Sequence, residues 1–291
     1  MIPGNFAYHR PADVAAAARL LQEHGDEAQL LAGGHSLIPM MKLRMAQPSH
    51  LIDLQDIAGL KGISRDGARL VIGAMTTQHE LIGDALVAAA VPLLREAALQ
   101  IADPQVRYVG TIGGNVANGD PGNDMPGVMQ CLDASFELTG PGGTREVAAR
   151  AFYEAAFTTA RAEDEILTRI IVPIPKPGSG YAYLKQKRKI GDYATAAAAV
   201  LLAVESGRCT SAAIAMTNLA ATPVFTEAAG AALVGTTLDE AAVGAAVAAM
   251  LAAIDPATDN RGPVEFKKHV AGLMLRRAIA EAAGRAGRGT A

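Results

Sequence analysis

Apolar positions change their period along the chain in a way that separates helices from strands. Over residues 11–24, Val14, Leu20 and Leu21 stand on an alanine-rich background that reads as an amphipathic helix, and Gly25 occupies the usual helix-stop position. Residues 29–32 are mostly apolar and run into Gly33-Gly34, after which Ser36 is placed to cap a helical turn through Leu37, Met40 and Met41. A second strand is expected over 50–54, and 61–64 with 69–73 form a hairpin across Asp66-Gly67. Thr77 and Glu80 have capping-box spacing, and the helical run 86–101 is interrupted at Pro92.

Residues 102–126 carry so many glycines and prolines that the segment is expected to be loop, held in place for a reason. Strand signals return at 135–139 and 167–173, and the Pro/Gly-rich stretch 175–180 reads as a linker. Strands at 181–187, 195–205 and 210–217 are followed by helices at 227–233, 239–253 and 265–283, an order that suggests a small α+β domain. A frayed tail is expected over 284–291.

Composition narrows the classes. With 291 residues, half of them hydrophobic, the chain can bury a large core in two or three domains. A net charge of −3, 4% aromatic residues and no Trp argue against a nucleic-acid partner, which needs a basic field and exposed rings. The longest apolar stretches, 194–204 and 241–254, fall short of a membrane span, and the N-terminus lacks the layout of a secretory signal, so a soluble cytoplasmic protein is expected. Cys131 and Cys209 stand far apart and outside any Cys-x-x-Cys pair, which argues against an iron–sulfur or zinc site in this chain and for small buried hydrophobes. His9, His24, His50, His79 and His269 show no metal-ligand spacing and read as surface or cap residues.

Two segments look suited to phosphate, because paired glycines at a turn let backbone N–H groups converge without side chains in the way. They are Ala32-Gly33-Gly34-His35-Ser36, just after a strand, and Thr111-Ile112-Gly113-Gly114-Asn115. Neither has the spacing of a dinucleotide Rossmann turn or of a nucleotide-triphosphate loop.

Longer stretches around these turns are far more specific. Ala-Gly-Gly-His-Ser-Leu-Ile-Pro-Met-Met-Lys-Leu-Arg (32–44), Ala-Asp-Pro-Gln-Val-Arg (102–107) and Thr-Ile-Gly-Gly-Asn-Val-Ala-Asn-Gly-Asp-Pro-Gly-Asn-Asp (111–124) make the chain resemble, nearly end to end, the FAD-binding medium subunit of the molybdenum hydroxylases. That family includes xanthine dehydrogenase and carbon monoxide dehydrogenase, and the first stretch is closest to the latter branch. The resemblance implies an α+β protein: two FAD-binding α/β subdomains of the vanillyl-alcohol oxidase type, 1–55 and 56–176, and a C-terminal domain, 177–291, with a three-stranded antiparallel sheet and helices.

The resemblance also assigns cofactor contacts. Ala32, Gly33, Gly34, His35, Ser36 and Leu37 belong to the first turn, and Ile101, Ala102, Val106, Gly110, Thr111, Gly114, Asn115 and Ala117 to the second region. Asp120 and Asp124 follow, Asp124 as a hydrogen-bonding partner of the cofactor and Asp120 either as a contact or as a holder of its own loop. Lys185 and Tyr193 match positions that approach the isoalloxazine, where a cation would stabilise an anionic reduced flavin and an aromatic ring would cover one face. His35, inside the turn, reads as a binding residue rather than a base. Lys187, Arg188 and Lys189 read as a solvated strand end, and Met40, Met41 and Met45 as core packing.

In such a complex, as the resemblance implies, substrate is oxidised at a molybdenum cofactor in a large subunit, and electrons cross two [2Fe–2S] clusters of a small subunit. FAD on this chain passes them to an external acceptor, so no catalytic acid–base pair and no metal are assigned here. The expected assembly is a dimer of heterotrimers, with peripheral membrane association of the complex left open. N-heterocycle, aldehyde and aromatic acyl-CoA hydroxylases share much of the motif, and a self-sufficient flavin oxidase is the alternative from another class.

Overall fold

The computed structural model describes residues 2–286, arranged around three principal sheets. The first unit runs β1 (Ala7–His9), α1 (Val14–His24), β2 (Ala28–Leu31), α2 (Leu37–Lys42) and β3 (His50–Asp53), its strands parallel in the order β1-β3-β2. Helix α1 starts later than 11–24 suggests because Asp13 is its N-cap, accepting from the Ala16 N–H at 2.7 Å, which leaves Pro11 outside. Of the methionines read as core, Met41 is buried but Met45 is 71% exposed, because α2 ends at Lys42.

The second unit holds the hairpin of β4 (Ile63–Asp66) and β5 (Arg69–Gly73), which turns at Gly67 as the Asp-Gly signal indicates. Helices α3 (Gln78–Gly83), α4 (Ala85–Ala90) and α5 (Pro92–Gln100) follow. Thr77 and Glu80 form the expected reciprocal cap of α3, and Pro92 opens α5, where a missing N–H goes unnoticed.

The segment 102–126 is not the loop its composition suggests. It contains α6 (Pro104–Val109), α7 (Ile112–Ala117) and the start of α8 (Asp124–Cys131). Three of the supposed breakers occupy places that a helix tolerates. Pro104 follows the Asp103 cap, Gly110 is the C-cap of α6, and Pro126 lies in the first turn of α8. Outside the helices stand only 102–103, 110–111 and 118–123.

Strands β6 (Ser135–Gly140) and β7 (Gly143–Ala148), a small ribbon of β8 (Tyr153–Ala155) and β9 (Thr158–Thr159), and β10 (Ile166–Pro173) complete the unit. Its antiparallel sheet has the order β4-β5-β10-β6-β7.

Beyond the linker come β11 (Gly180–Gln186), β12 (Ala196–Glu205) and β13 (Arg208–Thr217), an antiparallel sheet as expected, to which a two-residue fourth strand, β14 (Val224–Phe225), adds an edge. Helices α9 (Glu227–Ala231), α10 (Glu240–Ala253) and α11 (Val264–Arg285) cover one face. Gly180 lets α11 lie on β11, since a Cβ there would stand 1.9 Å from the Ala282 carbonyl oxygen. The helix continues through Gly284 and Arg285, so the expected tail starts later, and its residues 287–291 lie outside the described residues.

Why β12 begins with four consecutive alanines is clear from its neighbours. Ala197 and Ala199 pack into the core of the second unit, and Ala196 and Ala198 into the core under α10 and α11. Both faces of the strand are dry, so the apolar run does not alternate. Among the described residues no helix is long and apolar enough to cross a membrane.

Candidate functional site

All three units contribute to one cavity of about 700 Å³. Every site residue named from the sequence lines it except Asp120. Asp120 holds its own loop, its Oδ1 accepting from the Gly122 N–H at 2.8 Å.

The two glycine turns meet at the cavity, but their donors are used differently. In the first turn the main-chain N–H groups of Gly33, Gly34, His35, Ser36 and Leu37 donate to no protein acceptor among the described residues. Gly34 takes φ +70°, a conformation that favours glycine, and α2 starts without a side-chain cap, so Ser36 does not cap it as expected. In the second turn the donors are spent on the protein. Ile112 donates to Thr76 O (2.9 Å), Gly113 to Ala74 O (2.8 Å), Gly114 to Thr111 Oγ1 (3.0 Å) and Asn115 to Thr111 O (3.1 Å).

The second turn thus differs from the first in that its N–H groups from Ile112 to Asn115 are engaged within the protein. Its glycines serve close packing: a Cβ on Gly113 would stand 2.6 Å from Ala74, and one on Gly33, across the junction, 2.4 Å from the Val109 carbonyl oxygen. What the second turn still offers is side-chain chemistry. Thr111 Oγ1 accepts from Gly114 and so retains its hydroxyl hydrogen, and Asn115, whose Oδ1 accepts from the Met125 N–H at 3.2 Å, retains its amide donors.

Elsewhere the wall carries buried charge. Lys185 Nζ lies 2.9 Å from Asp124 Oδ2, with side chains 1% and 6% exposed, and also donates to Gln100 O at 3.4 Å. Tyr183, fully buried, donates its hydroxyl to the other Asp124 oxygen. Burial pushes the Asp124 carboxyl up from its ordinary range, while the Lys185 charge and the two hydrogen bonds pull it back only in part. The Tyr183 hydroxyl is raised well above its ordinary value by burial and by the Asp124 charge.

Tyr193 is 42% exposed at the rim, yet partial burial, followed by the charge and hydrogen bond of the nearby Asp120, pushes its hydroxyl up to about 12. Two members of the supposed solvated run are tied down: Lys187 donates to Gln100 Oε1 at 2.7 Å, and Arg188 pairs with Asp192 at 2.8 Å.

Several lining residues escaped the sequence reading. Leu54, Met75, Ile166 and Leu167 come from strand ends of two units and carry no local signal beyond apolarity. Arg161 lines the cavity with its guanidinium donating to the carbonyls of Ala162, Glu163 and Glu165, and burial lowers its pKa. Tyr183 reads in sequence as one more inward strand residue. Cys131 is buried, as expected of a small hydrophobe, and burial pushes its thiol up to about 12.

A row of main-chain donors without acceptors among the described residues, with a buried cation lining the same cavity, suits a long anionic ligand that has a polar ring system. Comparison with known proteins agrees. Residues 4–175 match the model of the FAD binding domain in molybdopterin dehydrogenase, and residues 181–282 that of the CO dehydrogenase flavoprotein C-terminal domain. The chain belongs to the FAD-binding family of the molybdopterin dehydrogenases.

Both glycine turns, Asp120 and Asp124 fall in the part covered by the first family model, and Lys185 and Tyr193 in the second, so this family member builds its cavity from both. The chain is 58% identical to the carbon monoxide dehydrogenase medium chain of Afipia carboxidovorans, over 98% of this chain and 99% of that one. It superposes on a chain of the carbon monoxide dehydrogenase from Hydrogenophaga pseudoflava with a TM-score of 0.98 at 48% identity, covering 99% and 100% of the two chains. With quinoline 2-oxidoreductase from Pseudomonas putida 86 the TM-score is 0.92 at 31% identity, over 98% and 99%.

Proposed function

We propose that this chain is the FAD-binding medium subunit of a cytoplasmic, aerobic carbon monoxide dehydrogenase. The observation that carries the reading is the row of N–H groups from Gly33 to Leu37 at the cavity wall, which meet no acceptor among the described residues, in a chain 58% identical over 98% of its length to such a medium chain. These donors fit the pyrophosphate of FAD, with the Thr111 hydroxyl and the Asn115 amide beside them.

Lys185 would hold positive charge against the ring system, and Asp124 and Tyr183 fix where that charge stands. Tyr193, at the rim, would cover a ring face. FAD, when bound, supplies the redox chemistry that links the [2Fe–2S] clusters of a small subunit to an external acceptor. The chain's own residues bind, orient and electrostatically bias it, and a large molybdenum-cofactor subunit oxidises the substrate.

The division into 1–55, 56–176 and 177–291 is part of the proposal, supported by the separate sheets, as is a dimer of heterotrimers. The same subunit role in an N-heterocycle hydroxylase is the second reading, supported by the likeness to quinoline 2-oxidoreductase at lower identity.

Purification of the complex through a tag on this chain tests the proposal. One FAD per chain, two co-purifying subunits carrying molybdenum and iron, and dye reduction driven by carbon monoxide are expected. A chain that holds no flavin, or a complex that reduces dye with quinoline but not with carbon monoxide, would overturn the corresponding part.

A further inference from the structure

Away from the flavin cavity, the fold collects three imidazoles that the sequence scatters. His9 ends β1, His24 ends α1 and His50 begins β3. The register explains the meeting, since β1 and β2 flank β3 and both Ala7 and Ala28 are paired with His50. His9 Nε2 and His50 Nδ1 stand 2.9 Å apart, and one ligand nitrogen from each of the three rings falls within 4.8 Å of the others. All three residues are half-buried, and none lines the flavin cavity.

We propose that His9, His24 and His50 form a binding site for one divalent transition-metal ion of the zinc type. Three neutral imidazoles with an open fourth position are a donor set that such ions accept, and imidazole disfavours magnesium and calcium. Nitrogens bound to one zinc ion at about 2.0–2.1 Å stand roughly 3.3 Å apart, so the His9–His50 pair is already within reach.

The rings of His24 and His50 lie 3.7 Å apart at 13°, a stack that an ion lying in the plane of both rings must open. A side-chain rotation at a half-buried histidine costs far less than metal coordination returns, so the site closes around the ion as it binds. The occupied site ties β1, the end of α1 and β3 together at the amino ends of β2 and β3, the opposite end of the sheet from the Gly33 turn.

The test uses the purified FAD-loaded protein, stripped with a chelator and titrated with Zn(II) against a chromogenic competitor. One ion per chain is expected, with affinity falling at least tenfold in His24→Gln and again in His50→Gln, and with a zinc-dependent rise in Tm that both variants lack. Co(II) in the same site should give the intense visible bands of a four-coordinate ion, and flavin absorbance should be the same in every variant, showing that each is folded. Equal zinc affinity in wild type and His24→Gln, or only weak six-coordinate Co(II) bands, would overturn the proposal.

Discussion

Seen in sequence, the two glycine turns are near equivalents; in the fold, the first leaves a run of N–H groups from Gly33 to Leu37 without acceptors among the described residues, while the second hands the N–H groups of Ile112 to Asn115 to Ala74, Thr76 or Thr111. Paired glycines therefore have two separate uses here. In the first turn Gly33 clears Val109 and Gly34 takes a left-handed φ, leaving the donors unspent, and in the second Gly113 lets α7 approach the strand end at Ala74. Only an account of where each donor goes tells the two apart.

Substitutions can break or sharpen that contrast, and the buried ion pair of Lys185 and Asp124 sets the scale. Lys185→Met leaves the Asp124 carboxylate buried without its cation and should cost about 3–5 kcal/mol in a denaturant titration at neutral pH. Burial raises the folded-state pKa of Asp124, so its contribution to stability is fully present below the ordinary carboxylate range and is lost as pH rises through the raised value. The deficit of Lys185→Met should accordingly shrink as pH falls, and a pH-independent deficit would show that Asp124 is not the cause.

At the second turn, Gly113→Ala places a methyl group 2.6 Å from Ala74 and should lower stability by about 1–3 kcal/mol even without flavin, read from thermal melting of the apo protein. The first turn should differ in its ligand. Gly34→Ala, at φ +70°, is expected to cost about 1–2 kcal/mol in the apo protein, as left-handed backbone does for a residue with a Cβ, and in addition to weaken FAD retention at least tenfold, measured by flavin release on dialysis. If the two variants exchange these behaviours, the division of labour between the turns is wrong.

The smallest effect belongs to a control outside the cavity. The hydrogen bond from Arg145 holds Glu165 below its ordinary pKa, so the pair's contribution is present above the ordinary glutamate range and lost as pH falls through the depressed value. Glu165→Gln should flatten the acid limb of the stability profile slightly and leave flavin content unchanged, which absorbance at equal protein concentration would check.

Much of this architecture was legible because its signals are local. Asp66-Gly67, the Thr77–Glu80 cap and Pro92 act within a few residues, and the structure places each where local chemistry demands. The glycine-rich middle was misread for the same reason: Pro104, Gly110 and Pro126 are breakers inside a helix but ordinary at its ends, and composition does not tell ends from interiors. Tyr183 and the histidine cluster were invisible because their meaning depends on partners far along the chain, Asp124 for one and two other strand or helix ends for the other.

The alanines of β12 carry a mechanical consequence. A strand whose two faces are sealed into separate cores is a party wall, and neither household can move it without opening the other's interior. The seam between the two family models, at residues 175 and 181, thus marks where two modules join in the chain rather than where the molecule bends. Lys185, on the neighbouring strand and paired with Ala197, meets Asp124 from masonry rather than from a hinge.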